Sequence, residues 1–314
     1  MTTLRKTLTD YIAMRRNLGF KLAEAGRGLF DFVSFLERKR QKYITVSLAL
    51  EWAQLPTSAQ PAHWAKRLSW VRIFARYLST IDLRTEVPPL ELLPFRAKRI
   101  QPYLYTDKEV RQLLEAALNL RLASPALNAL RPQTYYCLLG LLVITGLRIS
   151  EALNLKLEDV DFNEGVLVVR GAKLGKSRLV PLHTSALQVL SDYLSHRAQY
   201  LKGRTATYLF ISNRGNRLDV AEVHRTFYFL SRQIGLRGQK SSRGPRLHDF
   251  RHRFAVQTLL NWYRNGDQVE HRLPVLSTYL GHVHVNDTYW YLTACPELME
   301  EAVKRLEQRW EVKS

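Results

Sequence analysis

The 314-residue chain is 46% apolar and 24% charged, too apolar for a disordered chain and long enough for two domains, each with its own core. Its 47 Lys and Arg against 28 Asp and Glu leave +19, which excludes an acidic or neutral carrier and points to a polyanionic partner, nucleic acid first. Both parts of the chain are basic: 15 against 8 up to residue 95, and 32 against 20 beyond it. That distribution suits a protein gripping a duplex from two sides better than one with a single basic tail. Cys137 and Cys295 show no CxxC spacing, so neither a zinc site nor a disulfide framework is expected and a reducing cytoplasm fits. MTTLRKTLTDYIAMRR lacks a signal-peptide core and LLGLLVIT at 138–145 is too short to span a bilayer, so neither export nor a membrane is expected.

From Leu4 to about Leu83 the apolar residues recur at helical spacing, as in Leu29, Phe32, Val33 and Leu36, and predict about four helices. Thr45 with Ser47, and Pro61, mark two helix starts. The last of these helices carries Lys66, Arg67, Arg72 and Arg76, which form either its solvated face or a contact to a nucleic-acid backbone. The segment 87–103, with its prolines and the run Arg96, Lys98 and Arg99, breaks all periodicity and reads as a linker between a helical domain 1–86 and a second domain 104–314. Thr106 with Glu109 then reads as a helix start. The second domain is predicted mainly α-helical with one small antiparallel sheet: QTYYCLLGLLVIT as a buried helix, VDF, VLVVRG and SRLVPL as three strands, then helices at SALQVLSDYL, VAEVHRTFYFLSRQIG and HDFRHRFAVQTLL. Basic Gly/Ser loops follow at 203–207 and 235–244, the latter with Arg243. The tail places Leu298, Met299, Ala302, Val303, Leu306 and Trp310 on one helical face.

Four short motifs stand in order: TGLRISEAL around Arg148, VLVVRGAKLGKSRLVPL around Lys173, LHDFRH from His248, and LGH…TYWY ending at Tyr291. Transesterification of a phosphodiester needs a nucleophile, cations at the non-bridging oxygens and a proton donor for the leaving oxygen. Two guanidiniums, Arg148 and Arg251, can hold the phosphate through bidentate, permanently charged hydrogen bonds. Lys173 or Lys176, in the turn between two strands, could supply the proton, with Arg178 close by. His248 stands three residues before Arg251, on the same helical face, and His282 adds a donor. Tyr289 and Tyr291 are both chemically able to be the nucleophile, since either phenol needs nearby cations or a base. The HxH of His282 and His284 has no third ligand at metal-site spacing.

Together these motifs resemble the tyrosine recombinase (phage and transposon integrase) family over the second domain, and the basic helical first domain is similar to that family's core-binding domain. The resemblance implies a two-domain clamp around double-stranded DNA. In it Arg148, Lys173, His248, Arg251 and His282 are catalytic, Glu151 is an accessory, and Tyr291, nine residues after His282, is the nucleophile. Lys176, Arg178 and Arg243 would join Lys66, Arg67, Arg72 and Arg76 as DNA contacts. A 3′-phosphotyrosyl intermediate stores the bond energy, so neither metal nor ATP nor another cofactor is implied. Self-association on DNA from dimer to tetramer, through residues 296–310, and co-encoded recombinases are further expectations. The stretch VHVNDTYWY lacks the Ser/Thr-rich run of housekeeping Xer recombinases, which favours a mobile element over chromosome resolution. A topoisomerase or a non-catalytic regulator of the same fold would be the other outcomes, and without clustered carboxylates a metal-dependent nuclease fits poorly.

Overall fold

The computed structural model describes residues 3–94, 101–121, 130–171, 177–241 and 243–311. The chain divides into two compact units, Met1–Ile100 and Gln101–Ser314. The first holds the four expected helices, α1 (Leu4–Asn17), α2 (Ala23–Arg38), α3 (Val46–Gln54) and α4 (Pro61–Leu78). Side-chain oxygens close two of their starts: Thr3 accepts from the Lys6 N–H at 3.3 Å, and Thr45 from the Leu48 N–H at 3.2 Å, each satisfying a donor that the first helical turn leaves open. Pro61 opens α4, where its missing N–H costs nothing. The apolar stripes converge on a core of Leu8, Ile12, Phe32, Leu36, Trp52, Val71 and Phe74, all buried.

The start of the expected linker belongs to this unit. Val87 and Leu93 pack against its core, and Arg72 donates from Nε to the Pro88 carbonyl at 2.8 Å and from Nη2 to the Pro89 carbonyl at 2.7 Å. The prolines break periodicity, as expected, but a guanidinium takes up their carbonyls and holds the segment to the unit. Arg67 is likewise turned inward: it lies 3.8 Å over the Trp52 ring and donates to the Trp52 carbonyl. Lys66 stays at the surface in an ion pair with Glu24, and Arg76 is exposed.

The second unit is mainly helical with a three-stranded antiparallel sheet. Its helices are α5 (Asp107–Leu118), α6 (Arg131–Thr145), α7 (Ile149–Asn154), α8 (Thr184–Leu201), α9 (Val220–Gln233), α10 (Asp249–Arg264), α11 (Val269–Leu280), α12 (Asn286–Ala294) and α13 (Pro296–Glu311). The predicted helix start at Thr106 is a complete capping box, with the Glu109 N–H on Thr106 Oγ1 at 3.2 Å and the Thr106 N–H on Glu109 at 2.8 Å. Strands β1 (Val160–Asp161), β2 (Val166–Val169) and β3 (Arg178–Pro181) lie in sequence order, with Leu167 opposite both Val160 and Val180. Alternation along β2 buries Leu167 and Val169. Gly165, at φ +64°, makes the β1–β2 turn.

α11 and α12 were not anticipated. Pro274 lies inside α11 and reads in sequence as a breaker; the helix passes through it, and the Pro274 carbonyl also accepts from the Thr278 hydroxyl at 2.9 Å. α10 to α13 enclose a small core of Val256, Leu259, Leu273, Leu276, Leu280, Tyr291 and Leu298. The expected single apolar face of α13 is split: Leu298 is buried, Ala302 half-buried, and Met299 and Val303 exposed. No helix among the described residues is long and apolar enough to cross a membrane, and Cys137 and Cys295 are buried free thiols.

Candidate active site

Two glycines from the motifs do the first positioning. Gly146 ends α6 at φ +61° and Gly281 ends α11 at φ +65°, a left-handed conformation that side chains with a Cβ rarely adopt. A Cβ at Gly146 would meet the Phe254 ring at 2.8 Å, and one at Gly281 would meet Arg178 Nη1 at 3.1 Å. Both turns therefore pass close to the side chains they serve, and their carbonyls become arginine acceptors.

Arg251, on α10 and 1% exposed, donates from Nη1 to the Gly146 carbonyl at 2.9 Å and from Nη2 to the Leu280 carbonyl. Arg148 caps α7. Its Nη1 reaches Glu151 Oε1 at 2.9 Å and the Leu280 carbonyl at 3.4 Å, and its Nη2 the Gly281 carbonyl at 3.2 Å. Arg178, at the start of β3, donates from Nε to the Tyr279 carbonyl at 2.7 Å and holds Glu151 with both terminal nitrogens, at 3.1 and 2.8 Å. Three guanidiniums thus gather on the C-terminal carbonyls of α11, the negative end of that helix. Arg178 was expected as a DNA contact; here its fork is consumed by Glu151 and a carbonyl, because a carboxylate buried this deeply requires a counter-cation.

Burial alone would raise the Glu151 pKa, but the hydrogen bonds from Arg178 and from the Arg148 backbone, with both positive charges, hold it at about 2. Its folded value lies below the unfolded one of about 4.3, so its stabilisation is complete above that pH and is lost as pH falls toward 2. Glu151→Gln should therefore lower stability by about 3 kcal/mol at pH 7, since it leaves two guanidiniums without their anion. Urea melts at pH 7 and pH 3 check this: the gap between variant and parent narrows at pH 3.

Three arginines share the single carboxylate of Glu151, so positive charge is in excess within this cluster. Burial, then the Arg148 charge, push the Arg251 pKa down to about 10, so this cation is held at a cost that an incoming anion offsets. His248, at the head of α10, keeps an exposed edge, while desolvation of the rest of the ring and the charge of Arg251 lower its pKa. His282 is half-buried, and burial with the charges of Arg251 and Arg148 lowers its pKa to about 4. Both imidazoles are neutral at pH 7 and can accept or donate a proton.

Tyr291 is 2% exposed and Tyr289 47%. The Tyr291 ring lies 6.2 Å from that of His282 in a near-parallel stack. Burial raises its pKa, and Arg251, through charge and a hydrogen bond, pulls it back, with Arg148 helping. The structure thus gathers Arg148, Glu151, His248, Arg251, His282 and Tyr291 around one point. Lys173 and Lys176 lie outside the described residues. Arg243 is exposed on its loop.

Two residues escaped the sequence reading. His252 stands one turn beyond His248 with its ring 4.8 Å from His248, 5.3 Å from Trp290 and 5.5 Å from Tyr291, edge-on to each; its place in LHDFRH, four residues after His248, was the available signal. Thr288 is fully buried with Oγ1 2.7 Å from His282 Nδ1; its place at the head of TYWY gave it no role by itself.

Residues 104–297 match the phage integrase family. The chain is 58% identical over 312 residues, 99% of each chain, to a Sinorhizobium fredii protein that carries the name integrase/recombinase y4rB. It is 30% identical over 294 residues, 90% of each chain, to tyrosine recombinase XerC of Anoxybacillus flavithermus. In fold it is similar to the Tn1549 transposon integrase solved in complex with transposon right end DNA, with a TM-score of 0.67 at 17% identity over 96% of this chain and 98% of that one. The chain belongs to the phage integrase family, the tyrosine recombinases.

Proposed function

We propose that the protein is a site-specific DNA recombinase of a mobile element, which cuts and rejoins strands through a 3′-phosphotyrosyl intermediate formed by Tyr291. The observation that carries this reading is the buried phenol of Tyr291 beside Arg251, with Arg148 sharing the Leu280 carbonyl with that arginine. A phosphodiester entering there carries one negative charge and gains a second in the pentacoordinate transition state, which the excess positive charge of the arginine cluster stabilises. The phenol loses its proton to a neutral histidine of the site, its oxygen bonds to phosphorus, and the bond to the 5′ oxygen breaks. Lys173 supplies the proton to that leaving oxygen. Rejoining runs the same steps backwards from a partner strand's 5′ hydroxyl, so no external energy source enters.

Duplex DNA is the partner, with Arg76, Lys66, Lys176 and Arg243 as backbone contacts from the two units. Met299 and Val303, exposed on α13, form the apolar face by which copies associate on DNA. The mobile-element role is supported by the sequence before Tyr291, which lacks a Ser/Thr-rich run. Incubating the protein with nicked element-end DNA in EDTA tests the proposal on a denaturing gel. A protein–DNA adduct with a free 5′ hydroxyl on the released strand is expected; retained binding with no adduct on any end would replace the enzyme with a DNA-binding regulator.

A further inference from the structure

Thr288 is the threonine left in the segment between the LGH motif and Tyr291, and it is fully buried. Its Oγ1 lies 2.7 Å from His282 Nδ1, across six residues of chain. A buried hydroxyl without a partner costs free energy, and a helical threonine commonly spends its hydroxyl on the carbonyl one turn back. Here it is spent on the imidazole. Thr288 also stands three residues before Tyr291 on α12, on the same helical face. The bond therefore ties the loop that holds His282 to the helix that carries Tyr291. On its other side His282 follows Gly281, whose carbonyl is bound by Arg148.

A neutral imidazole carries one N–H, and the partner of one nitrogen decides which nitrogen has it. We propose that Thr288 is a positioning residue for the strand-transfer reaction: its hydroxyl donates to His282 Nδ1, fixes the ring as the Nε2–H tautomer and sets a hydrogen-bond donor beside the Arg148–Arg251 pair. The opposite tautomer would present the Nε2 lone pair to an anionic phosphate and repel it. The inference rests on the DNA-cleavage reading for its function, but the tautomer itself is a property of the DNA-free chain.

Two readouts test it. In the full-length protein with ¹⁵N-labelled histidine, long-range ¹H–¹⁵N correlation reports the His282 tautomer, assigned by its loss in His282→Gln. The parent should give the Nε2–H pattern; Nδ1–H as the main form overturns the proposal without any variant. Thr288→Val keeps the shape and removes the hydroxyl. It should mix the tautomers and slow adduct formation roughly 10- to 100-fold, by analogy with the loss when the partner that orients a metal-bound histidine is removed. Thr288→Ser should restore both. A Thr288→Val protein with the parental tautomer and rate would contradict the proposal. Absence of adduct in the parent would sink the recombinase reading and leave the tautomer result standing on its own.

Discussion

Tyr291→Phe should abolish the covalent DNA adduct, while Tyr289→Phe leaves its yield unchanged. The two phenols are two residues apart on α12, but their surroundings differ completely. Tyr289 is about half exposed, and a surface substitution of one aromatic ring by another perturbs little. Tyr291 is buried against Arg251 and His282, so its hydroxyl is the one beside which the fold places a guanidinium that favours the phenolate. Phenylalanine preserves the ring and its packing against His252 and Trp290, so loss of the adduct would report on the hydroxyl alone. Melting temperature and DNA affinity, measured alongside, should stay at parental values. An adduct persisting in Tyr291→Phe and disappearing in Tyr289→Phe would reverse the assignment.

Arg251→Lys should slow single-turnover cleavage of nicked DNA by about 10² to 10³, the usual consequence of removing one donor to a developing anion. Lysine keeps the charge but not the fork. The guanidinium binds the Gly146 and Leu280 carbonyls at once, and this pins its plane; a single ammonium cannot satisfy both and reach a phosphate. DNA affinity should fall far less than the rate, because one charge among many backbone contacts contributes modestly to binding while the transition state depends on this one. Equal losses in affinity and rate would mean that Arg251 serves binding and not the chemical step.

What was legible in the sequence is what local rules encode. The capping box at Thr106, the three antiparallel strands and the buried helix that ends before TGLR are encoded within a few residues of themselves, and each stands in the structure where its pattern put it. The ordered motifs also converge: Arg148, Arg251, His248, His282 and Tyr291 come from four separate helix ends or helices and meet at the C-terminus of α11. What was not legible depends on partners distant in sequence. Arg67, Arg72 and Arg178 look like any other cations on a basic chain, yet Trp52, the Pro88 and Pro89 carbonyls, and Glu151 take them up. α11 was hidden by Pro274, whose breaking tendency tertiary packing overrides. The face of α13 was hidden because periodicity says which residues align but not how wide the receiving surface is, and Met299 and Val303 lie beyond it. Thr288 and His252 stand inside the TYWY and LHDFRH motifs, but only the meeting of α10, α12 and the loop after Gly281 gives them a role.

The most direct test of the central claim is to identify the amino acid that carries the DNA. Protein trapped on nicked element-end DNA in EDTA, digested with nuclease and protease, can be sequenced by tandem mass spectrometry. The account predicts a nucleotide joined through its 3′ phosphate to Tyr291. A nucleotide on Tyr289 or any other residue, or one joined through a 5′ phosphate, would contradict it.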